Sequence, residues 1–343
     1  MLNAAPITGV LRLTRVTTAF AAVANLWFVV LWTRAHPEEP GTPALAEEPL
    51  WLLLAATTIA GAGLYAYGAA LNDVVDQTRD RALRRDRPIP SGQTTPDAAA
   101  LSVAGFLIVA LLGISPLGPA AVMVTLLVAL GIVAFNVAGK WVPGFGMVLL
   151  GLVYAGQMLA ANPELRFTWP VVLVMTHALA TTAVTHALSG RQPRLSPRAI
   201  AFAVTGWLVA AGLLVGLGAM RTAGFYTLSE PFSFNTPAEG PAALVWPEWI
   251  PLPAMIAPAA LAVVFMIVVV RRIKKLGRTQ RAADKITRYA ALWPAAYGSA
   301  WLFGAGNITE GGIMLALGIA GVIGTTLLRE LYALVEHPVT YRR

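Results

Sequence analysis

Ten stretches of about 20 mostly apolar residues divide this chain, at roughly 16–34, 50–72, 97–114, 118–138, 144–161, 168–188, 199–219, 253–271, 286–305 and 311–333. Each is long enough to cross the hydrocarbon core of a bilayer as a helix. In lipid the backbone N–H and C=O groups must be satisfied within the segment, so such stretches fold as helices. The ninth is the least regular, because Arg288 and Pro294 interrupt it. The expected fold is therefore all-α: a polytopic membrane bundle of nine or ten transmembrane helices, forming a single domain over 1–343. Composition agrees. Only 12% of the residues are charged and 57% are hydrophobic, whereas a soluble domain carries about 25% charged residues. The first stretch follows Arg12 and Arg15 without a clean small-residue cleavage site, so it reads as a retained helix rather than a signal peptide.

Loop charge gives the orientation. With a cytoplasmic N-terminus, about 22 of the 25 Lys and Arg residues fall on the inner side, as the positive-inside rule requires. Arg34, Arg166 and Arg221 remain outside, together with an acidic 35–49 loop. The chain is thus expected in a cell inner membrane with both termini cytoplasmic. The net charge of +8 then reflects loops facing anionic lipid, not nucleic acid. The basic run 271–281 reads as a lipid anchor or as a gate over the site. The outer 222–252 segment reads as an interfacial cap, to which Trp246 and Trp249 are suited, or as a solvated connection.

The chain has no cysteine and four histidines, which excludes disulfides, thiolate catalysis and a His-rich metal cluster. The chemistry concentrates elsewhere, in NDVVDQTRDRALRRDRPIPSG at 72–92, directly after the second apolar stretch. Ionisable residues at such a boundary are costly to bury and usually functional. On a continuing helix, Asn72, Asp73, Asp76 and Asp80 share one face. Carboxylates that close repel one another unless a cation joins them. Mg²⁺ suits the role, being a hard ion that takes carboxylate oxygens, keeps water and bridges to phosphate. Arg79, Arg81, Arg84, Arg85 and Arg87 supply forked donors for a polyanion. The competing reading is a solvated loop in which Asp and Arg pair with each other.

This pattern resembles the UbiA superfamily of intramembrane prenyltransferases. The NDxxDxxxD motif of that family matches at Asn72, Asp73, Asp76 and Asp80, and its RPxPSG segment at Arg87, Pro88, Pro90, Ser91 and Gly92. Arg12 and Arg15 resemble the family's N-terminal segment, and FNVAGKWVPGFG at 135–146 its lysine-bearing loop between helices four and five. The resemblance implies a central cavity open to the cytoplasmic side and laterally to lipid. It also implies Mg²⁺-dependent transfer of a prenyl group from an isoprenyl diphosphate to a lipophilic or aromatic acceptor. Asp73, Asp76 and Asp80 are the implied metal ligands. Asn72, Arg15, Arg79, Arg87, Arg191 and Arg194 are candidates for holding the diphosphate, and Asp73, Asp76, Lys140 and His186 for catalysis.

The family's second Asp-rich motif has no counterpart. The corresponding stretch, 176–198, contains no carboxylate and offers His177, His186, Arg191, Arg194 and Arg198. In this the chain resembles divergent members of the ebo-cluster type. Three consequences stand side by side. Arg191 and Arg194 clamp the diphosphate, Asp284 approaches from a 272–285 loop, or the protein is a non-catalytic isoprenoid-binding or carrier protein on the same scaffold. His186 reads either as a diphosphate contact or base, or as a helix-packing histidine; for His177, deeper in its helix, packing is the stronger reading. Lys140 reads as a phosphate contact or a positive-inside anchor. Tyr154, Tyr289 and Trp293 are candidates for the prenyl chamber, or plain packing aromatics. A secondary transporter ranks last, since no internal repeat is visible.

Overall fold

A computed structural model describes residues 19–190, 192–224 and 245–336, with side chains up to residue 327. Arg12, Arg15, Arg191, Arg342, Arg343 and most of the 222–252 segment lie outside the described residues, as does the side chain of Arg329. The described helices are α1 (Phe20–Ala35), α2 (Pro43–Glu47), α3 (Leu50–Val75), α4 (Gln77–Leu83), α5 (Pro96–Ile114), α6 (Pro119–Ala134), α7 (Pro143–Ala161), α8 (Trp169–Leu188), α9 (Pro197–Thr222), α10 (Ile256–Leu276), α11 (Gln280–Gly304) and α12 (Ile308–Glu336). Among them, every one of the ten apolar stretches has its helix. Eight are long and apolar enough to cross a membrane, and the described part of α1 is a shorter apolar helix.

Local chemistry sets where the helices begin. Proline, whose missing N–H costs nothing in a first turn, opens α5, α6, α7 and α9. Thr95 and Ser196 cap α5 and α9 by accepting from the N–H groups of Ala98 (3.2 Å) and Ala199 (3.1 Å). The same device corrects the ninth boundary. Thr279 Oγ1 accepts from Ala282 N at 3.3 Å, so α11 starts at Gln280 rather than near residue 286. The 272–285 loop accordingly shrinks to 277–279. Asp284 then stands on a helix, exposed and hydrogen-bonded by Gln280 of its own turn at 2.8 Å.

Before its last turn α1 is apolar on every side apart from Asn25, and it is buried from Ala21 to Leu26 and from Phe28 to Thr33, which places it at the centre of the bundle. It packs against α3, α7, α11 and α12. Leu101, Leu112, Leu127, Leu130, Leu208, Leu213 and Met266, on the outer helices, are exposed; in lipid they form the bundle's apolar wall. α3 and α5 approach closely through glycine. A Cβ on Gly63 would stand 2.8 Å from Ala110 N, and one on Gly113 would stand 2.5 Å from Ala60 N. Small residues at such crossings let backbones meet where lipid offers no hydrophobic drive.

A polar and aromatic clasp closes the bundle at the end opposite Asp73. Glu39 is buried between the α1–α2 and α7–α8 connections. It accepts from the N–H groups of Arg166 and Phe167, both at 2.8 Å, and from Trp32 Nε1 at 3.3 Å. His36 Nδ1 lies 2.9 Å from the Trp32 carbonyl and its Nε2 lies 3.0 Å from Asn307 Nδ2, so Nδ1 carries the ring proton. Trp246 and Trp249 are half-buried and pack against this clasp. Trp246 meets Phe167 edge-on at 5.2 Å, and Trp249 lies 4.9 Å from the His36 ring. Their indoles complete an aromatic core around the clasp.

Candidate functional site

The Asp-rich segment does not run as one helix. α3 ends at Val75, Asp76 turns at φ −85° and ψ 2°, and α4 resumes at Gln77. The hydrogen bonds from Asp76 N to Asn72 O and from Asp80 N to Asp76 O carry the chain through this break. Asn72, Asp73, Asp76 and Asp80 therefore stay together although the single helix expected from the sequence is interrupted. Asp73 and Asp80 are buried.

The 84–95 loop folds back over them. Ser91 N bonds Arg87 O at 2.9 Å, Thr94 N bonds Pro88 O at 3.1 Å, and Gly92 adopts φ +75°, a conformation glycine takes without strain. Ile89 anchors the loop in an apolar pocket with Ala99 and Val74. This turn delivers Arg87 Nη1 to Asp73 Oδ1 at 2.7 Å, and Asn72 Nδ2 donates to the same oxygen at 3.3 Å.

From the other side, α6 ends in a π-turn at Phe135–Gly139. Such turns recur at functional sites because they rotate the chain out of its helical register. Here the turn presents Lys140, whose Nζ lies 2.9 Å from Asp76 Oδ2. Next to it the Trp141 ring carries the Arg79 guanidinium, 5.6 Å from its centroid. Asp80 has its carboxyl pKa raised by burial. Arg87 opposes that shift, the nearby Asp76 and Asp73 add to it, and Arg84 opposes it. Asp73 and Asp76 are paired with Arg87 and Lys140, so part of the cluster follows the competing reading in which Asp pairs with a basic side chain.

Three carboxylates and an amide are hard oxygen donors, the chemistry Mg²⁺ takes. Among the described residues, no three acidic or histidine side chains converge closely enough to hold an ion by themselves. Asp73 and Asp76 each already face a cation, Arg87 and Lys140.

Other candidates fall outside this cluster. Arg194 and Asp284 are exposed. His186 is buried, with Nε2 2.9 Å from the Pro193 carbonyl, the contact of a packing histidine that braces the turn after α8. That contact suits the packing reading of His186 and leaves the ring's lone pair on Nδ1. His177 sits between Ala290 O (3.1 Å) and the Tyr297 hydroxyl (3.3 Å), also in packing. Tyr289 lies under the Arg272 guanidinium, and Trp293 Nε1 is 3.3 Å from Leu261 O.

A cavity of about 200 Å³ opens beside the cluster. It runs from Asn72 between α1, α3, α6 and α7, past Gly68, Ile132, Phe135 and Leu150, to Tyr154 and Gln157. Tyr154 was an expected lining residue. Gln157, Tyr65 and Asn136 were missed, although amides inside apolar helices signal function in themselves.

Compared with family models and with curated proteins, the sequence matches none. Two solved structures are similar. One is digeranylgeranylglyceryl phosphate synthase in membranes, at 19% identity and a TM-score of 0.50, covering 88% of this chain and 98% of that one. The other is the apo structure of a UbiA homolog from Aeropyrum pernix K1, at 18% identity and a TM-score of 0.47, covering 84% and 97%. The bundle of long helices is thus similar in fold to digeranylgeranylglyceryl phosphate synthase.

Proposed function

We propose that this protein transfers a prenyl group from an isoprenyl diphosphate to a lipophilic or aromatic acceptor within the membrane, with Mg²⁺ as cofactor. The observation that carries this reading is Asn72, which lines a mostly apolar cavity and bonds Asp73, in a turn where Asp73 pairs with Arg87 and Asp76 with Lys140. A diphosphate on a hydrocarbon tail is the ligand whose two halves suit those two environments. Asp73, Asp76 and Asp80, aided by Asn72, would hold the ion. When bound, Mg²⁺ supplies a Lewis acid that neutralises charge on the leaving diphosphate. Arg87 and Lys140, already in place, offer N–H donors to the same oxygens. The allylic C–O bond breaks, and the diphosphate leaves with the bonding pair. The acceptor's electrons form the new bond to the prenyl carbon, and the proton it loses passes to diphosphate or water. The apolar walls around Ile132, Phe135 and Leu150 keep water from the cation. By charge, this turn faces the cytoplasm of a cell whose inner membrane holds the chain.

One observation favours a second reading, a non-catalytic isoprenoid carrier: the α8 end contributes no carboxylate where a second metal-binding set would stand. A single experiment separates the two. Purified protein in lipid nanodiscs receives labelled prenyl diphosphate, Mg²⁺ and a native lipid extract, and product masses are read. Transfer that is abolished by Asp73→Asn and Asp76→Asn supports the enzyme. Saturable diphosphate binding with no product supports the carrier.

A further inference from the structure

The cavity ends on an amide pair. Asn25 of α1 donates from Nδ2 to Gln157 Oε1 of α7 at 3.1 Å, with the two side chains 1% and 6% exposed. Gln157 faces the cavity of about 200 Å³ that begins at Asn72. Asn25 faces a second, much smaller void of about 10 Å³ on the other side, bounded by Phe28, Met158, Val174, Tyr297 and Trp301. The pair is therefore a partition between two spaces. It lies roughly 20 Å along α7 from Pro143, at 1.5 Å of rise per residue.

We infer that Asn25 and Gln157 form the floor of the tail chamber and set the longest prenyl chain the protein accepts. The inference rests on the prenyl diphosphate reading above. A tail anchored at Asn72 and Asp73 by its diphosphate would extend down the cavity of about 200 Å³ that Asn72 lines. It passes apolar groups, Gly68, Ala69, Ile132, Leu150 and Val153, and then meets a hydrogen-bonded pair of amides. Going further would require parting them against hydrocarbon, where neither finds a new partner. A leucine pair could yield by changing rotamer, whereas a bonded amide pair resists on steric and polar grounds together. Asn25 Oδ1 has no hydrogen-bond partner among the described residues. The floor is therefore not tied into a wider polar network there and can be rebuilt by substitution.

The test measures Mg²⁺-dependent binding of geranyl, farnesyl, geranylgeranyl and longer polyprenyl diphosphates to full-length protein in nanodiscs. Wild type should bind the series up to a limit and weaken roughly tenfold or more beyond it. Asn25→Ala with Gln157→Ala joins the two voids, so the limit should move out by at least one isoprene unit while the shortest ligand binds as before. If the double variant does not accumulate, Asn25→Ser, which shortens one side of the floor, should produce a smaller shift in the same direction. A folded variant that binds the shortest ligand normally with an unchanged limit overturns the floor and leaves the prenyl diphosphate reading intact. If wild type binds none of the series, the functional reading itself fails and the floor with it.

Discussion

Lys140 Nζ lies 2.9 Å from Asp76 Oδ2, a bond between residues 64 positions apart in the sequence. It ties the π-turn after α6 to the break between α3 and α4, and both side chains are 14% exposed. At that burial the pair is worth more than a surface ion pair, and losing one member leaves the other short of its counter-charge. Lys140→Met keeps the aliphatic length and removes the charge. It should cost about 1–3 kcal/mol of stability and lower any prenyl transfer by roughly 100-fold or more, the scale of a lost charge-stabilising donor. Thermal unfolding in detergent and single-turnover transfer, read on the same preparations, check both. A variant with full transfer activity would return Lys140 to the role of a topological anchor.

Arg87 and Asp73 make a second pair at 2.7 Å, with Asp73 only 2% exposed. Arg87→Ala should destabilise by about 3 kcal/mol, because it strips a buried carboxylate of a close cation. Asp73→Asn alone leaves Arg87 half-buried without that charge and should cost less. In the double variant the two losses should not add, and the shortfall measures the coupling. Diphosphate binding should be lost in all three. Stability recovered without binding marks Asp73 as a ligand-holding group, whereas recovery of both would make the pair purely structural.

The sequence displayed these charges but not their pairing. All ten apolar stretches reappear as helices because lipid leaves a twenty-residue apolar segment little else to do. The Asp cluster was legible for a similar reason, since charges at a membrane boundary stand out against their surroundings. What stayed hidden depends on chain direction. Nothing local in 135–141 announces a π-turn, yet that turn decides that Lys140 meets Asp76. The start of α11 was misplaced by six residues because its first turns are polar; the cap at Thr279, not apolarity, sets it. The amides Asn25 and Gln157 were visible as letters, and only the packing of α1 on α7 makes them a pair.

Burial raises the carboxyl pKa of Glu39, and the N–H groups of Arg166, Phe167 and Trp32 pull it back without cancelling the shift. A raised folded value means the folded protein holds this proton more tightly than the unfolded chain. Its contribution to stability is full below the ordinary value of 4.5 and is lost as pH rises through the raised one. Glu39→Gln cannot titrate, and its amide N–H would confront an N–H of Arg166 or Phe167. It should cost about 1–3 kcal/mol overall. The gap between wild type and variant should be widest at acidic pH and narrow as pH rises across that window. Melting temperatures of both proteins across this range test the sign, and a gap that widens with pH would refute it.

The last prediction concerns how α3, which carries Asn72 and Asp73 on its final turn, is held in place. At Gly113 an added Cβ would stand 2.5 Å from Ala60 N and 2.9 Å from Ala56 O, both backbone atoms of α3 that cannot turn away. Gly113→Ala must therefore push α3 and α5 apart, at a cost of about 1–3 kcal/mol. Gly105, two turns earlier on α5, has open space around its Cβ position. Gly105→Ala should leave stability unchanged or raise it by up to about 1 kcal/mol through helix propensity. The two variants share a helix and a chemistry and differ only in what the methyl group meets. Gly113→Ala should also weaken Mg²⁺-dependent diphosphate binding, because displacing α3 moves Asp73 relative to Arg87 and Lys140. Equal melting temperatures for the two variants would show that the α3–α5 crossing yields freely and does not fix the position of the carboxylates.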